Sequence, residues 1–382
     1  MSLPPRLAEP LSRSNIPALH AVRAAAVMLV IVYHGGFGLR NVPGAYGVTM
    51  FFVLSGFLIT WLLLKEHRKT GTVSLRDFYV RRTLRIMPAF WAYWVFVVAY
   101  VALRHKPVPW ANAFSALFYV SNYYNALNGD PNTGFSHTWS LSTEEQFYLL
   151  WPAAFFLLLL PRSGRAVRYL LAAVLAVWVY RGVLVFGLHV NQSYLYAAFE
   201  TRCDALLVGC ALAFVLYQGR WGRFWNALTA HPGLLLLTVL AMAAVSTVPF
   251  WTGIGWTRDV ITGALGPVLA ALCIVQAIAF SASRGWRWLE SPVVRYLGLI
   301  SYSLYLWQEV TLHAATSRMA SAPYWAQAAG AIGLTIVFAS GSYFLIEKPF
   351  LRLKDRFGHS GRRGAAQARA ADEALAATVA AT

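Results

Sequence analysis

The stretch PALHAVRAAAVMLVIVYHGG, residues 17–36, decides the fold, because it is apolar over the length of a membrane helix yet carries two ionisable side chains. Arg23 and His34 are eleven residues apart. At 100° per residue, eleven steps return an α-helix to within about 20° of the same direction, roughly 16 Å further along its axis. Ionisable residues in a membrane segment normally face the protein interior or a water-filled cavity. The shared face of Arg23 and His34 is therefore a candidate functional site.

Apolar runs of about 20 residues recur along the whole chain, which has 382 residues of which only 12% are charged. A soluble domain has about 25% charged residues. The composition therefore predicts an all-α, polytopic transmembrane helix bundle. We identify eleven apolar segments, at about 17–36, 45–64, 86–103, 110–122, 139–160, 168–188, 203–217, 231–250, 259–280, 294–315 and 324–346.

The net charge of +17 does not indicate nucleic-acid binding, because the basic residues cluster in short loops between apolar segments. The loop 65–85 has seven Lys or Arg residues against two acids, and the loops at 162–168, 220–223 and 284–295 are also basic. The positive-inside rule places all of them in the cytoplasm. The three cysteines, Cys203, Cys210 and Cys273, have no metal-binding spacing and are expected to be small core residues.

The chain must cross the membrane an even number of times between the basic loops at 65–85 and 162–168, yet three apolar segments lie between them. Segment 110–122 is the shortest, so we expect it to be a re-entrant or surface helix that borders the site. This leaves ten spanning helices, with both termini on the cytoplasmic side of a bacterial-type inner membrane. Residues 1–16 would be a cytoplasmic arm, 17–352 the membrane domain, and 353–382 a disordered basic tail.

Paired acids lie where the fifth long segment begins. Glu144 and Glu145 follow the sequence His137-Thr-Trp-Ser-Leu-Ser-Thr, and one of them is expected near His34, whose imidazole is suited to act as a general base. The alternative is helix capping, with Ser142 as N-cap and Glu145 three residues later. The spacing leaves both interpretations open.

An arginine cluster, Arg81, Arg82 and Arg85, precedes the third segment. Arg82 and Arg85 share a helix face, and guanidinium groups are suited to binding phosphate. Positive-inside flanking would explain any one of the three. Ser55 and Gly56 are small residues in a bulky helix, for which packing is the simpler explanation. Arg202 and Asp204 are expected to pair with each other. Further ionisable residues, expected to be buried but without an assigned role, are Arg181, Glu309 and His313.

These residues together resemble the acyltransferase 3 family of integral membrane O-acyltransferases, from about Pro17 to Arg352. Seven motifs occur in order: Arg-x10-His (Arg23 to His34), Phe-Phe-Val-Leu-Ser-Gly-Phe (51–57), Arg-x-x-Arg (Arg82, Arg85), His-Thr-Trp-Ser-Leu-Ser-Thr-Glu-Glu-Gln-Phe-Tyr (137–148), Thr-Arg-Cys-Asp-Ala-Leu (201–206), Ser-Tyr-Ser-Leu-Tyr-Leu-Trp (301–307) and Glu-Lys-Pro-Phe (347–350). Each is weak alone, and the ordered set is specific.

The resemblance implies a ten-helix bundle that transfers an acyl group, often acetyl, from acyl-coenzyme A to a hydroxyl group of a saccharide or glycosylated acceptor. It implies essential roles for Arg23 and His34, and roles for the Arg82–Arg85 pair and the carboxylate after Trp-Ser-Leu. Candidate acceptor-binding residues are Ser55, Trp139, Arg202, Asp204 and Gln308. Many members have histidine where this chain has Gln308, so the acceptor is expected to be atypical. Some relatives have a hydrolase-like domain after the last helix, which this sequence does not contain.

The expected mechanism binds the coenzyme phosphates at Arg82 and Arg85, with Arg81 beside them, and extends the pantetheine arm toward His34. His34 deprotonates the acceptor or carries the acyl group. Glu144 or Glu145 assists His34, and Arg23 polarises the thioester or guides the arm. No bound cofactor or metal is expected, and acyl-coenzyme A is a co-substrate. The alternative from another class is a transporter or flippase for an organic anion or glycolipid, because buried charges would also suit such a pathway.

Overall fold

The protein is described by a computed structural model that covers residues 3–13, 16–37 and 44–354. Within these ranges it is all-helical, as predicted, and has no strands. The α-helices are α1 (Pro5–Ser12), α2 (Ala18–Gly35), α3 (Gly44–Thr70), α4 (Leu75–Leu103), α5 (Trp110–Leu117), α6 (Ser121–Asn128), α7 (Thr138–Ala154), α8 (Ser163–Phe186), α9 (Gln192–Ala197), α10 (Phe199–Tyr217), α11 (Gly222–Leu228), α12 (Gly233–Thr252), α13 (Gly263–Phe280), α14 (Pro292–Leu299), α15 (Ser301–Arg318), α16 (Tyr324–Ser342) and α17 (Lys348–Lys354). Short π-helical segments adjoin α7, α13 and α16.

The centre of the bundle is held together by close contacts between helix backbones. Helices α3 and α10 meet at reciprocal glycines: a Cβ atom on Gly56 would lie 2.0 Å from the carbonyl oxygen of Leu206, and one on Gly209 would lie 2.0 Å from that of Val53. Helix α14 meets α2 in the same way at Gly298. Without a hydrophobic force between helices in lipid, such close approach supplies much of the packing energy. Gly56 therefore has a packing role.

Six helical segments of the described chain are long and apolar enough to span a membrane. They are Ala18–Gly35, Gly44–Thr70, Leu75–Leu103, Ser163–Phe186, Arg258–Phe280 and Tyr324–Leu353. The bent pair α11–α12, counted as one span, raises the number to seven. The prediction of ten spans with both termini in the cytoplasm is not confirmed by this count. Polar residues explain part of the difference, because α10 has Glu200, Arg202 and Asp204 near its start.

The region predicted to be a short re-entrant or surface helix is divided into α5 and α6, each of eight residues. Eight residues extend only about 12 Å, too short to span a bilayer. Helix α6 supports α7 through polar contacts. Asn122 and Gln146 exchange amide hydrogen bonds of 2.9 and 3.1 Å, and the hydroxyl groups of Ser121 and Ser142 lie 2.8 Å apart. This network fixes the position of α7, which carries the paired acids.

The N-terminal residues pack against the bundle. In α1, Leu7 and Leu11 are buried, and the ammonium group of Lys65 donates to the backbone oxygens of Leu11 and Arg13 at 2.9 and 3.1 Å. The predicted arm thus includes a docked helix. The predicted disordered tail, 353–382, lies outside the described residues from 355 onward.

Candidate active site

Arg23 lies in a cluster of charged side chains that we call the arginine layer. Its members come from α2, α4 and α7, and are Arg23, Arg82, Arg85, Glu144, Glu145 and Tyr148. Arg23 interacts electrostatically with Arg85, Arg82 and Glu144. Three guanidinium groups thus lie close to the carboxylates of Glu144 and Glu145, and a third carboxylate, that of Glu347, also acts on Arg85. Such a site is suited to binding a phosphate-bearing ligand.

Arg82 contacts both an aromatic ring and a carboxylate of the arginine layer. Its guanidinium lies 3.3 Å from the centre of the Tyr148 ring, a cation–π contact. Its Nε atom is 3.9 Å from a carboxylate oxygen of Glu145. Glu144 points the other way and accepts a 2.8 Å hydrogen bond from the hydroxyl of Ser55 on α3. Ser55 therefore anchors Glu144.

Arg81 is separate from this layer. It forms a 3.0 Å ion pair with Glu66 at the end of α3. Neighbouring helical residues are 100° apart, so Arg81 and Arg82 face different partners. Of the three arginines predicted to bind the co-substrate, the structure brings Arg82 and Arg85 together and directs Arg81 toward another contact.

His34 lies in a second cluster at the other end of α2, which we call the histidine layer. It consists of His34, His137, Glu309 and Tyr305. His137 Nδ1 forms a short hydrogen bond with a carboxylate oxygen of Glu309, and the backbone N–H of His137 donates to the same oxygen at 3.1 Å. His34 interacts electrostatically with both Glu309 and His137. His34 is exposed, whereas the His137 side chain is 1% exposed.

The expected pairing of Glu144 with His34 does not occur in the structure. Helix α7 begins at Thr138, beside His137, and Glu144 lies seven residues from His137. Seven residues correspond to roughly 10 Å of helix. Glu144 is therefore displaced along α7 toward Arg23 and Arg82, with which it interacts electrostatically. The carboxylate that acts most strongly on His34 belongs to Glu309, and Asp130 has a smaller effect.

The capping interpretation of the paired acids is wrong. Ser142 lies inside α7, where its hydroxyl bonds to the Thr138 backbone oxygen at 3.2 Å and to Ser121. The helix begins four residues before Ser142, so Glu145 is not in the first turn. The hydroxyl groups of residues 138–143 are satisfied inside the bundle, where Thr138 and Ser142 bond to Ser121 of α6 and Ser140 bonds to Tyr305 of α15.

Arg202 and Asp204 do not pair with each other. Asp204 forms a 2.6 Å ion pair with Arg181 of α8 and accepts a 2.9 Å hydrogen bond from the Trp178 indole. Residues two apart in a helix point about 200° away from each other, which explains the error. Arg202 instead lies beside the rings of Tyr196 and Trp139, with its guanidinium carbon 5.5 and 5.8 Å from their centres.

Three further candidates on α15 have different surroundings. Gln308 is buried, and neither polar atom of its side chain has a hydrogen-bond partner among the described residues. His313, expected to be buried, is exposed. The sequence predicts no role for Glu309 and marks its partner His137 only as part of a motif. The spacing of 172 residues between them gives no signal, because only the fold brings α15 to the start of α7.

A family model described as an acyltransferase domain matches residues 16–344. The peptidoglycan O-acetyltransferase OatA of Listeria monocytogenes is 31% identical over 360 residues, which cover 88% of this chain and 56% of the relative. The putative peptidoglycan O-acetyltransferase YrhL of Bacillus subtilis is 30% identical over 356 residues, covering 87% and 54%. The chain therefore spans little more than half the length of these relatives. No solved structure matches it.

Proposed function

The chain belongs to the acyltransferase 3 family, and on that premise we propose that it is a membrane O-acetyltransferase that modifies a carbohydrate. The donor is acetyl-coenzyme A from the cytoplasm, and the acceptor is a saccharide hydroxyl on the outer side of a bacterial-type inner membrane. The names of the relatives support the acetyl group and a glycan of the peptidoglycan kind as acceptor. The observation that carries the proposal is the presence of two different charged layers at the two ends of one helix, α2.

The arginine layer is the proposed donor site. Coenzyme A carries phosphate groups, and Arg82 and Arg85 offer planar donors for them. The basic loop 65–85 leads into this layer, so the positive-inside rule supports a cytoplasmic location, where the donor is available. Arg23 lies deeper and guides the pantetheine arm toward His34. No metal or bound cofactor takes part in this scheme.

The histidine layer is the proposed acceptor side. Roughly 16 Å of helix separates Arg23 from His34. The length of an extended pantetheine arm is of the same order. His34 takes the proton of the acceptor hydroxyl as its oxygen attacks the thioester carbon. The carbon–sulfur bond breaks, and the coenzyme leaves as a thiolate that receives the proton from His34. The competing route first transfers the acetyl group to His34, then to the acceptor.

Glu309 and His137 support His34 in this scheme. A carboxylate that bonds Nδ1 of a histidine fixes the orientation of the ring and stabilises positive charge nearby. Here Glu309 is hydrogen-bonded to His137, and both residues interact electrostatically with His34. We propose that the negative charge of Glu309 stabilises the imidazolium of His34 as it forms. This gives Glu309 the role that the sequence suggested for Glu144.

The test uses the full chain in nanodiscs with radiolabelled acetyl-coenzyme A. His34→Ala is compared with the wild type and with His313→Ala, an exposed histidine on α15 that serves as the matched control. We expect His34→Ala alone to abolish acetyl-coenzyme A turnover while the protein remains monodisperse. Stable labelling of the wild type would favour the acetyl-histidine route. Full activity of His34→Ala would overturn the proposal, and anion transport without coenzyme A consumption would favour a transporter.

A further inference from the structure

Among the described residues outside the two layers, Arg202 stands out because it is partly buried and forms no direct ion pair, although the carboxylates of Asp204 and Asp259 act on its charge. Its Nε and Nη2 atoms are buried and have no hydrogen-bond partner within the described ranges 3–13, 16–37 and 44–354. A desolvated guanidinium without a partner is costly, and the usual remedy is an acidic neighbour. The neighbouring carboxylates, those of Asp204, Asp259 and Glu200, already have other hydrogen-bond or ion-pair partners.

Each nearby carboxylate has its own direct partner other than Arg202. Asp204 is held by Arg181 at 2.6 Å, and Asp259 is held by Arg258 at 3.3 Å. Three guanidinium groups thus share two carboxylates, with Arg202 left over. Glu200, one turn before Asp204, is also engaged, because it accepts hydrogen bonds from the phenols of Tyr123 and Tyr194. Arg202 is therefore left without a direct ion pair among the described residues, although Asp204 and Asp259 act on its charge from a greater distance.

Aromatic rings surround this charge. Trp139 and Tyr196 face each other with ring centres 4.8 Å apart, and Arg202 lies beside both. Arg258 lies 5.7 Å from the same Tyr196 ring, and its side chain is 40% exposed. The cluster therefore extends from an accessible arginine to a partly buried one, with two amphipathic rings between them. Flat aromatic rings suit the apolar face of a sugar ring, and a guanidinium suits a carboxylate or phosphate.

This cluster borders the histidine layer. Tyr196 interacts electrostatically with Tyr33 and Asp130. Tyr33 precedes His34, with the two ring centres 5.3 Å apart, and Asp130 also acts on His34. Trp139 lies two residues after His137 on α7. If a saccharide binds at Arg202, its nearby hydroxyl groups would therefore lie close to the histidine layer.

We propose that Arg202, with Arg258, Trp139 and Tyr196, forms an acceptor subsite that binds the negative charge of an acidic saccharide. The inference rests on the proposed function and narrows its acceptor to a sugar that bears a carboxylate or phosphate group. Arg202 binds the anionic group, the two rings cover the sugar face, and Arg258 meets the ligand at the entrance. The subsite is separate from the arginine layer, which serves the donor.

The first test measures binding without catalysis, using small sugars as probes on the purified full chain. Glucose, glucuronate and glucose 6-phosphate share one ring and differ in charge at one end. We expect an acidic probe, but not glucose, to raise the thermal unfolding temperature of the wild type and of the exposed control Arg104→Gln. Arg202→Gln should lose this increase. The probe that acts, glucuronate or glucose 6-phosphate, identifies a carboxylate or a phosphate as the ligand group.

Equal effects of glucose and both acids, no effect of any probe, or an increase that persists in Arg202→Gln would overturn the subsite. Arg202→Lys guards against misfolding, since it keeps the charge and should retain part of the increase. A second measurement separates this idea from the proposed function. The exposed control Arg104→Gln should keep the acceptor-independent hydrolysis of acetyl-coenzyme A that requires His34, whereas Arg202→Gln should raise KM for an acidic acceptor by roughly tenfold or more. Loss of hydrolysis in the wild type would overturn the function but not the subsite.

Discussion

Glu309 carries the negative charge that acts on His34, so its charge should matter more than its shape. Glu309→Gln keeps an oxygen that accepts from His137 but removes the charge. We expect kcat for acetyl transfer to fall by about 100-fold, within the range of general acid–base contributions, while KM for acetyl-coenzyme A changes little. Glu144→Gln should alter this KM instead, because Glu144 lies in the arginine layer. A loss of kcat confined to Glu144→Gln would return the role to Glu144.

Arg82 combines an ion pair with a ring contact, and only a guanidinium can make both. Arg82→Lys keeps the charge but loses the planar stacking on Tyr148 at 3.3 Å. We expect KM for acetyl-coenzyme A to rise about tenfold in Arg82→Lys and more in Arg82→Ala, as a charge-assisted hydrogen bond contributes about 1.5–3 kcal/mol. Steady-state kinetics would measure this. Arg76→Ala, an exposed arginine on the same helix, is the control and should keep the wild-type KM.

The sequence predicts which side chains share a face of a single helix, but not which side chains from distant segments form contacts. The common face of Arg23 and His34 follows from 100° per residue, and the structure places each in a charged layer. The partners of His34 could not be derived in this way. Glu309 and His137 meet because α15 packs beside the start of α7, and no local pattern encodes that meeting. For the same reason Arg181, not Arg202, is the partner of Asp204.

The crossing of α3 and α10 depends on two glycines and should not tolerate a larger residue. In Gly56→Val, the Cβ atom would lie 2.0 Å from the Leu206 carbonyl oxygen, a backbone atom that cannot move aside alone. We expect destabilisation of about 3 kcal/mol or more, visible as a loss of monodisperse protein on size-exclusion chromatography after mild heating. Gly182→Ala on α8 is the matched control, because no atom lies within 4 Å of its added Cβ. It should stabilise the helix by about 0.5–1 kcal/mol.

Helices α8 and α10 are joined by the buried pair Arg181–Asp204, whose side chains are only 3% and 2% exposed. Asp204→Asn would leave the guanidinium of Arg181 buried without a counter-charge. We expect a loss of about 3–5 kcal/mol, the usual result of breaking a buried ion pair from one side. The double variant Arg181→Met with Asp204→Leu should recover most of it, since neither charge remains buried. Thermal unfolding in detergent measures the stability of the single and the double variant. An equal loss of stability in the two would contradict this account.

Long apolar helices were predicted closely, whereas the capping of a polar one was not. The predicted segment 86–103 ends where α4 ends, and 203–217 ends with α10. The predicted segment 139–160 begins within one residue of the start of α7, whereas the capping interpretation placed that start too late, because Ser142 lies inside the helix and its hydroxyl bonds to α6. Helices that line a polar site carry polar residues themselves, and hydropathy alone therefore underestimates them.

The whole molecule is organised along the axis of α2, with the arginine layer at one end and the histidine layer at the other. This arrangement separates the proposed donor and acceptor across the bilayer, which a soluble transferase would not need. The all-helical architecture followed from the length of the apolar segments. The number of spans did not, because hydropathy separates only six or seven helices of the described chain from the rest, and the remaining long helices carry the polar residues of the site.

The orientation of the molecule can be tested on the two sides of α4, independently of the total number of spans. Thr72 precedes this helix and Asn128 follows it, and both residues are exposed. We expect Thr72→Cys to face the cytoplasm with the basic loop, and Asn128→Cys to face outward with the histidine layer. In a background where Cys203, Cys210 and Cys273 are replaced by alanine, a membrane-impermeant maleimide should label Asn128→Cys in intact spheroplasts and Thr72→Cys only after lysis. The reverse pattern would place the arginine layer outside, where acetyl-coenzyme A is absent, and would exclude the proposed direction of transfer.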